Sequence, residues 1–177
     1  YSYLPSRDGQ TIADEVAMYV LNQVHPDFVQ YSYLDRGSDE RQYCSPGIDL
    51  PIASVMRTKY GAYKEYHTSL DDLDYVSAEG LFGAYDILSR CIEHIEDYRI
   101  YKTTILCEPQ MGRRNLRSTL GAQTDMPANT MLMSHILVYS DGKCDVLSMA
   151  NKFGVSLTDL LEIVDILVKE GLLEEVV

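Results

Sequence analysis

Residues 66–75 read Tyr-His-Thr-Ser-Leu-Asp-Asp-Leu-Asp-Tyr, and they join an aromatic run to a long helical pattern. Thr68 or Ser69 can cap a following helix through its hydroxyl, and the acidic residues after them suit the positive end of the helix dipole. His67 is therefore expected in a loop just ahead of a helix start. By itself, one histidine beside acids indicates a turn residue more simply than a metal ligand.

Motifs upstream form an ordered series with this stretch. In chain order they are Ser38-Asp39-Glu40-Arg41-Gln42-Tyr43, Cys44-Ser45-Pro46-Gly47-Ile48, Pro51-Ile52-Ala53-Ser54, and His67-Thr68 with Asp71-Asp72-Leu73-Asp74. The series resembles the C-terminal half of the zinc-dependent aminopeptidase and carboxypeptidase superfamily. The residues within these motifs are similar to those of a bacterial aminopeptidase-like branch, whose members carry a C-terminal winged helix-turn-helix. The resemblance covers residues 1 to about 120 and continues into the tail.

The resemblance implies an α/β fold, a partial aminopeptidase-like (phosphorylase/hydrolase-like) three-layer sandwich followed by a small winged-helix domain. It also implies a hydrolase of peptide or amide bonds, in which two zinc ions polarise the carbonyl and activate water beside a carboxylate base. His67 would be the last zinc ligand. The family's other ligands are expected to precede the portion represented here, so the sequence predicts no catalytic residue in this chain and no activity of the chain alone.

The same resemblance suggests roles for the loop at residues 38–43. Arg41 and Tyr43 could bind a substrate carboxylate or the tetrahedral oxyanion, although a salt bridge and a core tyrosine explain them equally well. Asp39 could orient His67 through the second ring nitrogen, as metal-bound histidines require. Cys44 has no base partner in the sequence, and it is not a candidate nucleophile.

Composition limits the classes of partner. The net charge of −12 argues against a nucleic-acid binder, because phosphate contacts need a basic surface. No apolar run approaches the ~20 residues of a membrane span, and no signal peptide is visible, although the chain opens on Tyr1. Four scattered cysteines suit reduced thiols in a cytoplasm. A homo-oligomer stays possible.

Periodicity predicts an α/β domain over residues 1–103. A helix is expected after Thr11, ending at His25-Pro26, and a strand over 28–34. The nearly all-apolar run 52–56 predicts an interior strand. A helix over about 77–98 has a full apolar stripe, with His94 expected on its surface.

Residues 104–124 are predicted to be a connector. Its arginines could bind a substrate carboxylate, or they could simply offset nearby acids; they are Arg113, Arg114 and Arg117. Residues 125–177 predict three helices and a final strand, the pattern of a winged helix-turn-helix. This segment holds three Lys or Arg against nine Asp or Glu, a net charge of −6, so a protein contact or a domain-packing role is expected rather than DNA binding. The alternative to a hydrolase is accordingly a non-catalytic protein-binding module.

Overall fold

The computed structural model describes residues 1–114, 116 and 128–176. The chain divides into two compact units, Tyr1–Asp97 and Tyr98–Val177. Both combine small sheets with helices, so the fold is α/β as the sequence predicts. The first unit contains, in order, β1 (Ser2–Leu4), α1 (Ile12–Val24), β2 (Val29–Gln30), a 3₁₀ turn (Tyr33–Asp35), α2 (Glu40–Tyr43), β3 (Ser54–Met56) and α3 (Ala78–Glu96).

The sheet of the first unit is built around β1, which pairs in parallel with β2 and antiparallel with β3. Helix α1 connects the parallel strands, and its apolar face (Val16, Val20 and Leu21) is buried as its spacing predicts. The start of α1 is fixed by the buried Asp14. Its carboxylate accepts hydrogen bonds from the backbone and hydroxyl groups of Thr11 and Ser6 and from the Tyr3 hydroxyl.

Two strand predictions differ from the structure. The strand expected over 28–34 contains only Val29–Gln30, because Ser32 and Asp35 cap a 3₁₀ turn that replaces the rest. Within the run 52–56 only Ser54–Met56 forms a strand, β3, which lies at an edge of the described sheet with half-buried residues. The interior position predicted for it is wrong in this unit, since the buried central strand is β1.

Helix α3 is present where the periodicity predicts it, but its cap is Ser77, whose hydroxyl accepts from the Gly80 backbone N–H. Thr68 instead closes a local turn, in which it donates to the Glu65 carbonyl and accepts from the Leu70 N–H. The surface position expected for His94 is also wrong. Its ring packs edge-on against Tyr19 of α1, and its Nδ1 is buried without a hydrogen-bond partner in the described structure.

The second unit contains β4 (Ile100–Thr103), a 3₁₀ turn (Met111–Arg114), α4 (Ala128–Tyr139), β5 (Asp141–Asp145), α5 (Val146–Phe153), α6 (Leu157–Lys169) and β6 (Leu173–Glu175). The three predicted helices and the final strand are confirmed. The sheet is antiparallel, with β4 between β5 and β6. Residues 100–103, which the sequence interpretation left with the first domain, form this central strand.

Local signals set the helix ends of the second unit. Asp145 caps α5 by accepting from Ser148 N–H, and Gly154 ends it in the left-handed region at φ +68°. Ser156 caps α6 by accepting from Asp159 N–H. The core is apolar. Its fully buried side chains come from all three helices and from the residue just before β6, namely Ile136, Leu147, Met149, Leu160, Leu167 and Leu172.

Part of the predicted connector at 104–124 lies outside the described residues, and so does Arg117. Arg113 and Arg114 lie in the 3₁₀ turn, and Arg114 donates to the Glu170 carbonyl at 3.2 Å. Every helix in the described parts of the chain is too short or too polar to cross a membrane.

Candidate functional site

The loop at residues 38–43 is held in place by a buried glutamate. The Glu40 carboxylate accepts from the backbone N–H groups of Gly37 (2.7 Å) and Ser38 (3.0 Å), and from the hydroxyl of Tyr60 (2.5 Å). The Tyr60 oxygen in turn accepts from Gly37 N–H at 2.7 Å. Position 37 must be glycine for this approach, since a Cβ there would lie 2.9 Å from a Tyr60 ring carbon. We call Glu40, Tyr60 and Gly37 the loop lock.

The loop lock leads through aromatic rings to His67. Tyr60 lies 6.4 Å from Tyr66 between ring centroids, and Tyr66 stacks on the His67 ring at 4.0 Å. Tyr63 packs edge-on against Tyr66 and stacks on Tyr75. The first unit therefore brings the Ser38–Tyr43 loop and the His67 loop together through one cluster of side chains.

The charges in the loop lock are unambiguous. Burial raises the pKa of Glu40, but hydrogen bonds from Tyr60 and from the Ser38 and Gly37 backbone outweigh it and hold that pKa at about 2. Burial and the Glu40 carboxylate raise the pKa of Tyr60 to about 12. Glu40 is thus ionised and Tyr60 neutral near neutral pH, so the loops are joined by a charge-assisted hydrogen bond.

His67 has an uncommon backbone conformation for a side-chain-bearing residue, with φ at +58°. Such a conformation costs free energy and persists only where the surrounding structure imposes it. The side chain is exposed, and one face of its ring is covered by Tyr66. The imidazole is therefore held at the surface of the unit in a defined orientation.

The other predicted site residues are placed as follows. Arg41 is exposed, and its Nε donates to the Ser38 carbonyl at 3.4 Å. Tyr43 is half exposed, so it is not a core tyrosine. Asp39 is exposed at the start of α2 and forms no side-chain capping bond. Cys44 is buried, with its thiol toward the carbonyls of Leu50 and Ile52.

The described residues do not make a metal centre on their own. In residues 1–114, 116 and 128–176, no three His, Cys, Asp or Glu side chains are grouped closely enough to hold a metal ion. Catalytic zinc needs about three protein ligands and an open position. His67 can contribute one imidazole nitrogen, and the remaining ligands would have to come from elsewhere.

Sequence reasoning missed Glu40 and Tyr60 as the residues that organise the site. Glu40 stood inside the quoted motif, but a glutamate between an aspartate and an arginine gives no sign of burial. Tyr60 lies 20 positions away, so only the folded chain makes the pair visible.

Two family models match the chain. Residues 1–98 match the model described as "Domain of unknown function (DUF4910)", and residues 99–175 match a winged helix-turn-helix. The chain is also 35% identical over 174 residues to a Clostridium acetobutylicum protein named "Putative polysaccharide biosynthesis protein with aminopeptidase-like domain". That match covers 98% of this chain and 40% of the relative.

A solved structure gives the same result at the level of the fold. A crystal structure described as a "putative peptidase" from Clostridium acetobutylicum superposes with a TM-score of 0.77 at 32% sequence identity. The superposition covers 99% of this chain and 38% of that one. The chain thus spans about two fifths of the length of each of these relatives.

Proposed function

The chain belongs to the DUF4910 family, and we propose that it forms part of an aminopeptidase-like hydrolase of peptide or amide bonds. One observation carries the proposal: both relatives, one named for an aminopeptidase-like domain and one for a peptidase, match nearly the whole chain at above 30% identity. Similarity at this level over both units supports a common architecture. The activity belongs to the complete protein, since the chain spans only about two fifths of either relative.

Within that hydrolase, His67 supplies one ligand to zinc. The exposed imidazole, supported on one face by the stacked Tyr66 ring, supports this role, because a ligand has to be accessible and gains from a restricted orientation. Zinc would supply carbonyl polarisation and an activated water. The described residues alone do not provide enough ligands, so the 177-residue chain is expected to be inactive.

The remaining residues of the site bind or position. Arg41 and Tyr43 are exposed beside the loop lock and can donate hydrogen bonds to a substrate carboxylate or oxyanion. Asp39, exposed at the start of α2, would orient His67 by accepting a hydrogen bond from its second ring nitrogen. Glu40 and Tyr60 act through the loop that carries these side chains, and they are positioning residues.

The test measures zinc content and peptide hydrolysis of the full-length protein that contains this chain. His67→Ala should remove about one zinc per chain and lower hydrolysis at least 100-fold, with an unchanged circular dichroism spectrum. His135→Ala is the matched control, since His135 is an exposed histidine of the second unit. Unchanged zinc content and activity in His67→Ala would overturn the assignment of His67.

A second candidate function is a non-catalytic module that binds another protein chain. The observation that supports it is the acidic winged-helix part, residues 125–177 with a net charge of −6, which suits a protein contact better than a nucleic acid. The two candidates differ in one measurement. A full-length protein prepared with zinc in excess that retains none after dialysis, and hydrolyses no peptide, would favour the binding module.

A further inference from the structure

Helix α3 leaves a large apolar surface uncovered in this chain. One side of the helix packs inward through Ile87 and Cys91. A neighbouring stripe of the helix carries five exposed apolar residues at steps of four, three, four and three: Leu81, Tyr85, Leu88, Ile92 and Ile95. We call these five residues the α3 seam. Leu81 and Tyr85 are 64% and 69% exposed, so the described residues bury little of either side chain.

The spacing of the α3 seam is the heptad spacing that places side chains along one continuous stripe. Phe82, 68% exposed, widens the stripe at its N-terminal end. Isolated exposed apolar residues are ordinary, but a contiguous patch on a helix marks a surface that another element covers.

The residues beside the seam argue against a helix-to-helix dimer. In a two-stranded coiled coil the positions flanking the apolar stripe are usually charged, and those charges select the partner. Here the flanking positions are Phe82, Ser89 and Glu96 on one side and Ala84 and Cys91 on the other. The charged residues Asp86, Arg90 and Glu93 lie farther round the helix. A helix that is apolar over most of its circumference is typical of the interior of a large domain.

The length of the relatives identifies the occupant. Each relative matches this chain almost from end to end, yet about three fifths of each relative lies outside the match. The small sheet of the first unit also has a half-buried edge strand, β3. We infer that the α3 seam packs against the part of the full-length protein that corresponds to these remaining three fifths of the relatives, as an intramolecular layer contact. The inference shares with the proposed function the premise of a larger domain, but it does not depend on zinc.

The test compares hydroxyl-radical footprints of the 177-residue chain and of the full-length protein, both at low concentration with a chelator present. The expected result is at least a fivefold lower oxidation rate of the five seam residues in the full-length protein. Leu106, 95% exposed in the second unit, provides the reference rate. Equal rates of seam oxidation in the two proteins would overturn the inference, as would a full-length protein no longer than this chain.

A second copy of the chain is the alternative occupant. In that case seam protection in the 177-residue chain would rise with protein concentration, together with a dimer in sedimentation, and this outcome overturns the inference. Leu88→Glu adds an independent test. The more exposed seam leucine gives the sharper variant: Leu81→Glu should change the melting temperature of the 177-residue chain less than Leu88→Glu does, and both should lower that of the full-length protein, while Leu106→Glu should change neither.

The footprint separates this inference from the zinc assignment. Seam protection should be the same in wild-type and His67→Ala full-length protein, because the packing of α3 does not involve the histidine. Protection without zinc binding would leave the seam inference standing and remove the zinc proposal.

Discussion

Helices α3 and α6 have the same kind of sequence and different surroundings. Both are capped by a serine and both have apolar residues at helical spacing. In α6 the apolar positions Leu157, Leu160, Ile163, Val164 and Leu167 are all buried. In α3 only Ile87 and Cys91 are buried, and the α3 seam is exposed. The second unit therefore buries the apolar face of α6 in its own core, whereas the α3 seam of the first unit is exposed among the described residues.

The largest expected effect is a loss of unfolding free energy from a substitution in the core of the second unit. Leu160→Ala should cost about 2–5 kcal/mol of unfolding free energy, because the fully buried side chain leaves a cavity. Guanidinium unfolding of the chain, followed by circular dichroism, measures the loss. The matched substitution in the other helix, Leu81→Ala, should change stability by less than about 0.5 kcal/mol. Equal losses at the two positions would remove the distinction between the units.

The second prediction concerns pH and the loop lock of the first unit. The pKa of Glu40 is about 2 in the folded chain, below its ordinary value. A lowered folded pKa stabilises the fold above the unfolded pKa, about 4.3, and the contribution disappears as the pH falls toward 2. Glu40→Gln should therefore cost on the order of 2 kcal/mol at pH 7 and much less at pH 2.

Unfolding at several pH values between 2 and 7 checks this expectation, and Asp39→Asn is the control because its carboxylate is exposed. A Glu40→Gln loss that does not change with pH would contradict the ionised loop lock. The second unit should show no part of this pH dependence, which a probe in that unit would report.

The third prediction concerns the caps, where the units should not differ. Ser77→Ala and Ser156→Ala should each cost about 1 kcal/mol, since each hydroxyl accepts from a backbone N–H at the start of its helix. Aspartate at either position should restore most of the loss by keeping an acceptor. Thermal unfolding of the four variants checks both statements, and a large difference between the two alanine variants would mean that tertiary context dominates the caps.

The smallest expected effect is in DNA binding by the second unit. The second unit (residues 98–177) has a net charge of −2, and its helical part, residues 125–177, has one of −6. The first turn of α6 also carries Asp159, so phosphates at that helix would meet negative charge. No shift in duplex DNA anisotropy is expected at micromolar protein and physiological salt. A sequence-selective complex at nanomolar concentration would show that the winged helix reads DNA despite its charge.

The helices of both units were predictable because their signals are local. Thr11, Ser77, Ser156 and Gly154 lie within a few residues of the ends they fix, and periodicity supplies the buried faces. The strands were less predictable, because the sequence of an apolar run does not determine which other strands pair with it. The stretch 52–56 was more apolar than Ser2–Leu4, yet β1 took the centre of the sheet, since both β2 and β3 pair with it.

The sequence by itself determined the α/β class, the helices and the ordered motifs around His67, because each depends on residues close together in the chain. Only the tertiary structure decided that Glu40 is buried and ionised, that Tyr60 joins its loop to the His67 loop, and that the α3 seam is uncovered. Glu40 and Tyr60 lie 20 residues apart in the chain, and the five seam residues are 41% to 69% exposed among the described residues. The burial and the ionisation of a side chain depend on residues that folding brings close to it, and the local sequence pattern does not specify those residues.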